Sequence, residues 1–202
     1  MLLLINNSKP NLADLHYIKY IRKCLKKKTI DFIETKKIED ISLKTREQIK
    51  GIIISGSPLN LSKPLLLEDY GYIFHYLFLY PSIPVLGICF GCQLLAMICS
   101  GYTLEHQSKF ICDKQMVYLE KKHPLFSSAL KDTEFQFCFS DLIIPNKKII
   151  NTREIAWFQY KNTKMPCAFD FSNHKYGTLF HPEFFENTNS VIYDFYTICN
   201  KL

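Results

Sequence analysis

The chain has 202 residues, 48% hydrophobic, 22% charged and 14% aromatic, with 7 Gly and 9 Pro. That suffices for one sizeable core and excludes a disordered tail, a collagen-like repeat or a low-complexity linker. The 25 Lys and Arg outnumber 19 Asp and Glu to give +6, but apart from Lys26-Lys27-Lys28 the lysines are scattered, which argues against a nucleic-acid partner.

The first half alternates short aliphatic runs with helix-period segments, the pattern of βαβ units and a parallel sheet. Leu2 to Ile5 reads as a strand. Leu12, Leu15, Ile18, Ile21 and Leu25 then recur at spacings of three and four, as in an amphipathic helix, with the triple lysine as its solvated last turn. Ile30 to Ile33 is expected as a second strand, Thr45 to Lys50 as a short helix, and Gly51 to Ser55 as a third strand ending in a Gly-Ser-Pro turn. Glu68 to Tyr80 reads as a largely apolar helix and Pro84 to Ile88 as a fourth strand. Gln93 to Ile98 then begins a helix with almost no connecting loop. After Gly101 the texture becomes β-rich, with strands expected at Gln115 to Glu120, Glu134 to Phe139, Glu154 to Tyr160, Cys167 to Phe171 and Thr178 to Phe180. A helix over Ser190 to Cys199 closes the chain, with Val191, Ile192, Phe195 and Ile198 on one face. No internal repeat and no second-domain boundary is visible, so residues 1–202 are expected to form a single α/β domain.

Of the eight cysteines, Cys24, Cys99, Cys138, Cys167 and Cys199 fall inside apolar runs and read as reduced and mostly buried. The N-terminus lacks a basic leader, and the longest apolar stretch, Tyr72 to Ile88, is broken by His75, Pro81 and Pro84. A cytoplasmic protein without a membrane segment is expected.

Chemistry concentrates in three segments. Gly87-Ile88-Cys89-Phe90-Gly91 is a nucleophile flanked by small residues on a strand-to-helix turn. Such a turn holds the middle side chain exposed in a strained conformation, and the helix N-terminus favours a thiolate there. Read alone, the segment fits a reactive thiol and a buried structural cysteine equally. Phe180-His181-Pro182-Glu183 supplies a base and a carboxylate to orient it, since residues i and i+2 of an extended backbone point the same way. Ser55-Gly56-Ser57-Pro58 ends a strand on the sheet edge that would carry Cys89, where its N–H groups, with that of Phe90, are placed to form an oxyanion hole.

In this order and at these separations, Ser55-Gly56-Ser57-Pro58, Gly87-Ile88-Cys89-Phe90-Gly91-Cys92-Gln93-Leu94-Leu95-Ala96 and Phe180-His181-Pro182-Glu183 resemble the class I, triad-type glutamine amidotransferases. The resemblance runs essentially end to end. It implies a flavodoxin-like, mostly parallel sheet with helices on both faces and a β-rich second half. It also implies Cys89 as nucleophile, His181 as acid and base, Glu183 as the group that orients it, and Ser57 and Phe90 as oxyanion donors. Gln93 and Gly56, with the turn Phe139-Ser140-Asp141, would line the glutamine pocket. The implied reaction is hydrolysis of the side-chain amide of L-glutamine through a γ-glutamyl thioester, with ammonia passed to a synthetase partner and no cofactor or metal. Within the family the chain looks most like the amidotransferase part of GMP synthetase, with the small subunit of anthranilate or aminodeoxychorismate synthase next.

Three positions depart from the family pattern. Ser57 stands in place of a glycine, at a cost of roughly 1 kcal/mol if the site demands positive φ. Phe139 stands in place of a histidine. Cys92 creates Cys89-Phe90-Gly91-Cys92, a spacing that also suits a thiol redox centre. A binding subunit with weakened catalysis is the remaining alternative. No second cysteine pair or spaced histidine pair suggests zinc.

Overall fold

In a computed structural model of the chain, the residues described are 1–8, 16–35, 41–62, 71, 73–74, 76–78, 80–120, 122–129, 133–144 and 151–202. Nine strands join in one mixed sheet. In chain order the elements are β1 (Leu2–Ile5), α1 (His16–Lys27), β2 (Phe32–Thr35), α2 (Leu43–Arg46), β3 (Gly51–Ile54), β4 (Val85–Ile88), α3 (Phe90–Ser100), β5 (Thr103–Leu119), β6 (Thr133–Ile144), β7 (Arg153–Tyr160), β8 (Thr163–Asp170), β9 (Lys175–Thr178) and α4 (Ser190–Lys201).

The sheet order is β2-β1-β3-β4-β9-β8-β7-β5-β6. The first five strands are parallel, in the order of a flavodoxin-like doubly wound sheet. The other four extend it as antiparallel neighbours, so the expected α/β fold with a β-rich second half is what forms. Strands β1, β3, β4 and β9 are buried throughout, because helices cover both faces. A Cβ on Gly51 would strike Cys199 of α4, whereas Ile54, three residues on, meets Gly91 of α3. Side chains three apart on a strand point to opposite faces, so α3 and α4 lie on opposite sides of the sheet.

Several boundaries differ from the sequence reading. The second strand runs from Phe32 to Thr35 rather than from Ile30, because Lys28, Thr29 and Ile30 turn back onto the carbonyls of Leu25 and Lys26 at the end of α1. Helix α2 starts two residues early, where the Ser42 hydroxyl and carbonyl accept the N–H groups of Thr45 and Arg46. It stops early because Lys50 is drawn into the sheet by its bond to the Met1 carbonyl. Strand β9 runs from Lys175 to Thr178 rather than from Thr178 to Phe180, because it is the residues from Lys175 that pair with β4. Strand β5 is far longer than Gln115 to Glu120, because it pairs along its length with β6. Residues 71, 73–74 and 76–78 are helical, Tyr80 lies just past the helix with its N–H on the Tyr76 carbonyl, and the other positions of the expected Glu68 to Tyr80 helix, like Leu12 and Leu15, lie outside the described residues. Among the described residues no helix is long and apolar enough to cross a membrane.

Helix α3 lies with its backbone close against β3 and β4. A Cβ on Gly87 would lie 2.4 Å from the Gly91 carbonyl group, and one on Gly91 would lie 2.4 Å from the Ile54 carbonyl oxygen. Gly91→Ala should therefore push α3 off the sheet and destabilise the protein by roughly 1–3 kcal/mol. Urea unfolding checks this, and a midpoint equal to that of the parent protein would contradict the packing.

Candidate active site

All three chemistry-bearing segments leave the carboxyl ends of neighbouring strands: Ser55 to Pro58 after β3, Cys89 after β4, and His181 beyond β9. Cys89 caps α3 with φ 53° and ψ −105°, a positive φ that only a strongly constrained non-glycine residue adopts. The constraint is visible: its N–H donates to the Thr178 carbonyl at 2.7 Å, and its carbonyl accepts from Gln93 N–H at 3.0 Å. The residue is only 4% exposed, and its thiol donates to the Cys138 carbonyl of β6 at 3.2 Å.

His181 is held from both sides. Its backbone N–H donates to the Gln136 carbonyl of β6 at 2.8 Å, and the preceding Phe180 ring lies 4.1 Å from Phe135 and 6.0 Å from Phe137, centroid to centroid. Nδ1 meets Glu183 Oε1 at 2.7 Å, with both side chains buried. Glu183 is pinned in turn by the Cys24 thiol on its carbonyl and by the Thr188 hydroxyl on the Pro182 carbonyl. Its Oε2 is buried with no hydrogen-bond partner among the described residues, so the imidazole is what meets its charge. Burial opposes a charged His181 ring, but Glu183 and the adjacent Cys89 outweigh it and hold the ring well above the ordinary histidine value. A Cβ on Gly56 would lie 3.2 Å from His181 Cε1 and 3.7 Å from Cys89 Cβ, so the Gly56 turn stands directly against both.

The segment just after β1 fixes that turn. Asn7 donates from its backbone to Ser55 Oγ and from its side chain to the Ser55 carbonyl, and the Ser57 hydroxyl returns to the Asn7 carbonyl at 3.1 Å. Ser57 is not among the positive-φ residues, so the strain expected of a serine at this position does not arise. Phe90 is the first residue of α3 and fully buried.

Phe139-Ser140-Asp141 is not a turn but part of β6, at a register irregularity opposite His106 to Ile111. The Phe139 ring is buried against Phe137 and Phe158, which makes it a core residue rather than a wall of the glutamine pocket. Gln93 donates to the Asp141 carbonyl at 2.7 Å. The Asp141 carboxylate is used elsewhere, taking the Ser62 N–H at 3.0 Å, the Ser62 hydroxyl at 2.7 Å and His106 Nδ1 at 2.8 Å. Ser62 and His106 were not singled out by the sequence, since each lies far along the chain and belongs to no motif. Cys92 packs against Gly177 on the sheet, and a Cβ there would lie 2.6 Å from its Sγ. Burial pushes its thiol well above the ordinary value, which argues against a Cys89–Cys92 redox centre. All eight cysteines are free, and no group of three or more metal-binding side chains occurs among the described residues.

Comparison with known proteins agrees with this geometry. Residues 11–198 match the family Glutamine amidotransferase class-I. A GMP synthase (glutamine-hydrolysing) from Mannheimia succiniciproducens is 32% identical over 148 residues, which cover 69% of this chain and 27% of that enzyme, so the match takes in about a quarter of its length. A separate glutamine-hydrolysing GMP synthase subunit from Methanococcus aeolicus is 26% identical over 79% of both chains. Among solved structures, a putative GMP synthase subunit from Thermoplasma acidophilum superposes with a TM-score of 0.77, covering 99% of this chain and 94% of that one at 19% identity. With a family match across nearly its whole length and a cysteine, histidine and glutamate converging at one sheet edge, the chain belongs to the class I glutamine amidotransferase family of cysteine-dependent glutamine-hydrolysing enzymes.

Proposed function

We propose that residues 1–202 form one glutaminase domain whose triad is Cys89, His181 and Glu183, and that the ammonia it releases serves a GMP synthase-type synthetase. The observation that carries the triad is the His181–Glu183 pair, buried and in contact at 2.7 Å, beside a thiol strained out of the ordinary backbone region. The thiolate attacks the glutamine δ-carbonyl, His181 gives its proton to the departing ammonia, and the same ring then activates the water that cleaves the thioester. Glu183 holds the ring in orientation and balances its charge. Backbone N–H groups of Ser57 and Phe90 are the proposed oxyanion donors, with Gly56 and the Gln93–Asp141 pair bounding the glutamine site. The GMP synthases among its relatives support that partner over a chorismate-utilising one, and the cytoplasm is where such a pair would work.

Replacing Cys89 by Ser or His181 by Ala should lower glutamine hydrolysis by several orders of magnitude while circular dichroism stays unchanged, because a triad acts as a unit. Ammonia release at the parental rate in either variant would end the assignment.

The raised His181 value has a sign. The charged ring is the proton donor, so turnover should fall as pH rises through the folded value, on a limb well above the ordinary histidine value of about 6.5. The stabilisation from the His181–Glu183 pair follows the same course, complete below about pH 6.5 and lost as pH climbs through the raised value. Glu183→Gln removes the strongest raising influence and should shift the limb to lower pH in a kcat profile. An unmoved limb would show that another group sets it.

The chain alone should turn over glutamine slowly and be stimulated by the synthetase component of a GMP synthase with its nucleotide substrates, since ammonia released without a docked acceptor site is lost. Full-speed turnover indifferent to that component would identify a stand-alone hydrolase.

A further inference from the structure

Strand β6 touches the triad twice, through the Gln136 carbonyl on His181 and the Cys138 carbonyl on Cys89. On the same stretch, Cys138 stands directly opposite Cys112 of β5, and the two thiols are 2.7 Å apart. Directly opposed residues of an antiparallel pair have Cα atoms about 4.5–5.5 Å apart, within the range that a disulfide spans without backbone movement. Cys112 is exposed and Cys138 half-buried, whereas Cys89 is buried. The Gln136 side-chain amide flanks both thiols, at 3.8 Å from Cys112 and 3.7 Å from Cys138.

We infer that Cys112 and Cys138 are a redox modification site for low-molecular-weight disulfides, and that its oxidation spares the nucleophile next to it. The exposed Cys112 thiolate attacks the small disulfide, forming a mixed disulfide and releasing one thiol. Cys138 then displaces the second thiol and closes the Cys112–Cys138 bond. The protein pair loses two electrons and two protons, and the small disulfide becomes two thiols. The order follows from access: Cys112 is exposed and Cys138 half-buried, so Cys112 reacts first and Cys138 resolves. The other buried cysteines are poor competitors, since burial pushes Cys24 and Cys199 up to about 12 and Cys167 well above its ordinary value. With no partner at Cys112, a mixed disulfide formed on Cys138 would stand beside Cys89, whose thiol reaches the Cys138 carbonyl at 3.2 Å.

The test treats the parent protein and Cys112→Ser with oxidised glutathione, alkylates the remaining thiols with iodoacetamide and maps the peptides. Neither readout depends on glutamine turnover, so failure here is separable from failure of the proposed triad. The parent protein should yield a Cys112–Cys138 linked peptide, reversible by dithiothreitol, with Cys89 fully alkylated. In Cys112→Ser, alkylation of Cys89 should drop severalfold. Absence of the linked peptide, a link to Cys89 in the parent protein, or equal Cys89 alkylation in the two proteins would each overturn the inference. Cys112→Ala, which removes the serine hydroxyl as well, should behave as Cys112→Ser.

Discussion

The site depends on how closely α3 is pressed onto the sheet. Without side chains at Gly87, Gly91 and Gly177, the helix backbone meets the Ile54 carbonyl and Cys92 fills the space over β9. Because α3 begins immediately after β4, there is no loop to absorb the change of direction, and the turn is made within Cys89 itself. A φ of 53° costs free energy for a residue with a Cβ. The bonds from Cys89 to Thr178 and from Gln93 to Cys89 hold it there, so packing across three strands supports the strain at one residue.

The opposite wall is built from the antiparallel extension. Strand β6 gives its carbonyls to His181 and Cys89 while its alternate residues, Phe135, Phe137 and Phe139, point into an aromatic cluster with Phe158 and Phe180. The period of two along a strand divides the labour: alternate side chains of β6 anchor the core, while its backbone carbonyls meet His181 and Cys89. Buried Asp141 extends the same wall, joining Ser62 after β3 to His106 on β5 while its carbonyl holds Gln93. A buried carboxylate with several donors gives geometric definition more surely than net stability. Here what it defines is the spacing between the β3 turn and the helix that begins at Cys89.

The cysteines show how position sorts one residue type into several roles. Cys24, Cys92, Cys167 and Cys199 are buried packing residues with raised thiols. Cys89 is strained at a helix start, and Cys112 and Cys138 face one another across two strands. The Cys89-Phe90-Gly91-Cys92 spacing suggests a redox pair, yet the next turn of α3 carries Cys92 onto the sheet, and the thiols that meet are 26 residues apart in sequence.

Local pattern was enough to specify the first four parallel strands in outline, the strand-to-helix turn at Cys89, and the pairing of His181 with Glu183, the proposed base and its carboxylate. Each is short in range: an aliphatic run, a turn flanked by glycines, an i and i+2 pair on extended chain. The extent of β5, the place of Phe139 in a strand rather than a turn, the ordinary φ of Ser57 and the junction of Ser62, Asp141 and His106 came only with the folded chain. They depend on which strand pairs with which, and in what register. A strand's length is set by its partner, and a polar residue's role by what long-range pairing brings against it. Neither is written in the spacing of neighbouring residues.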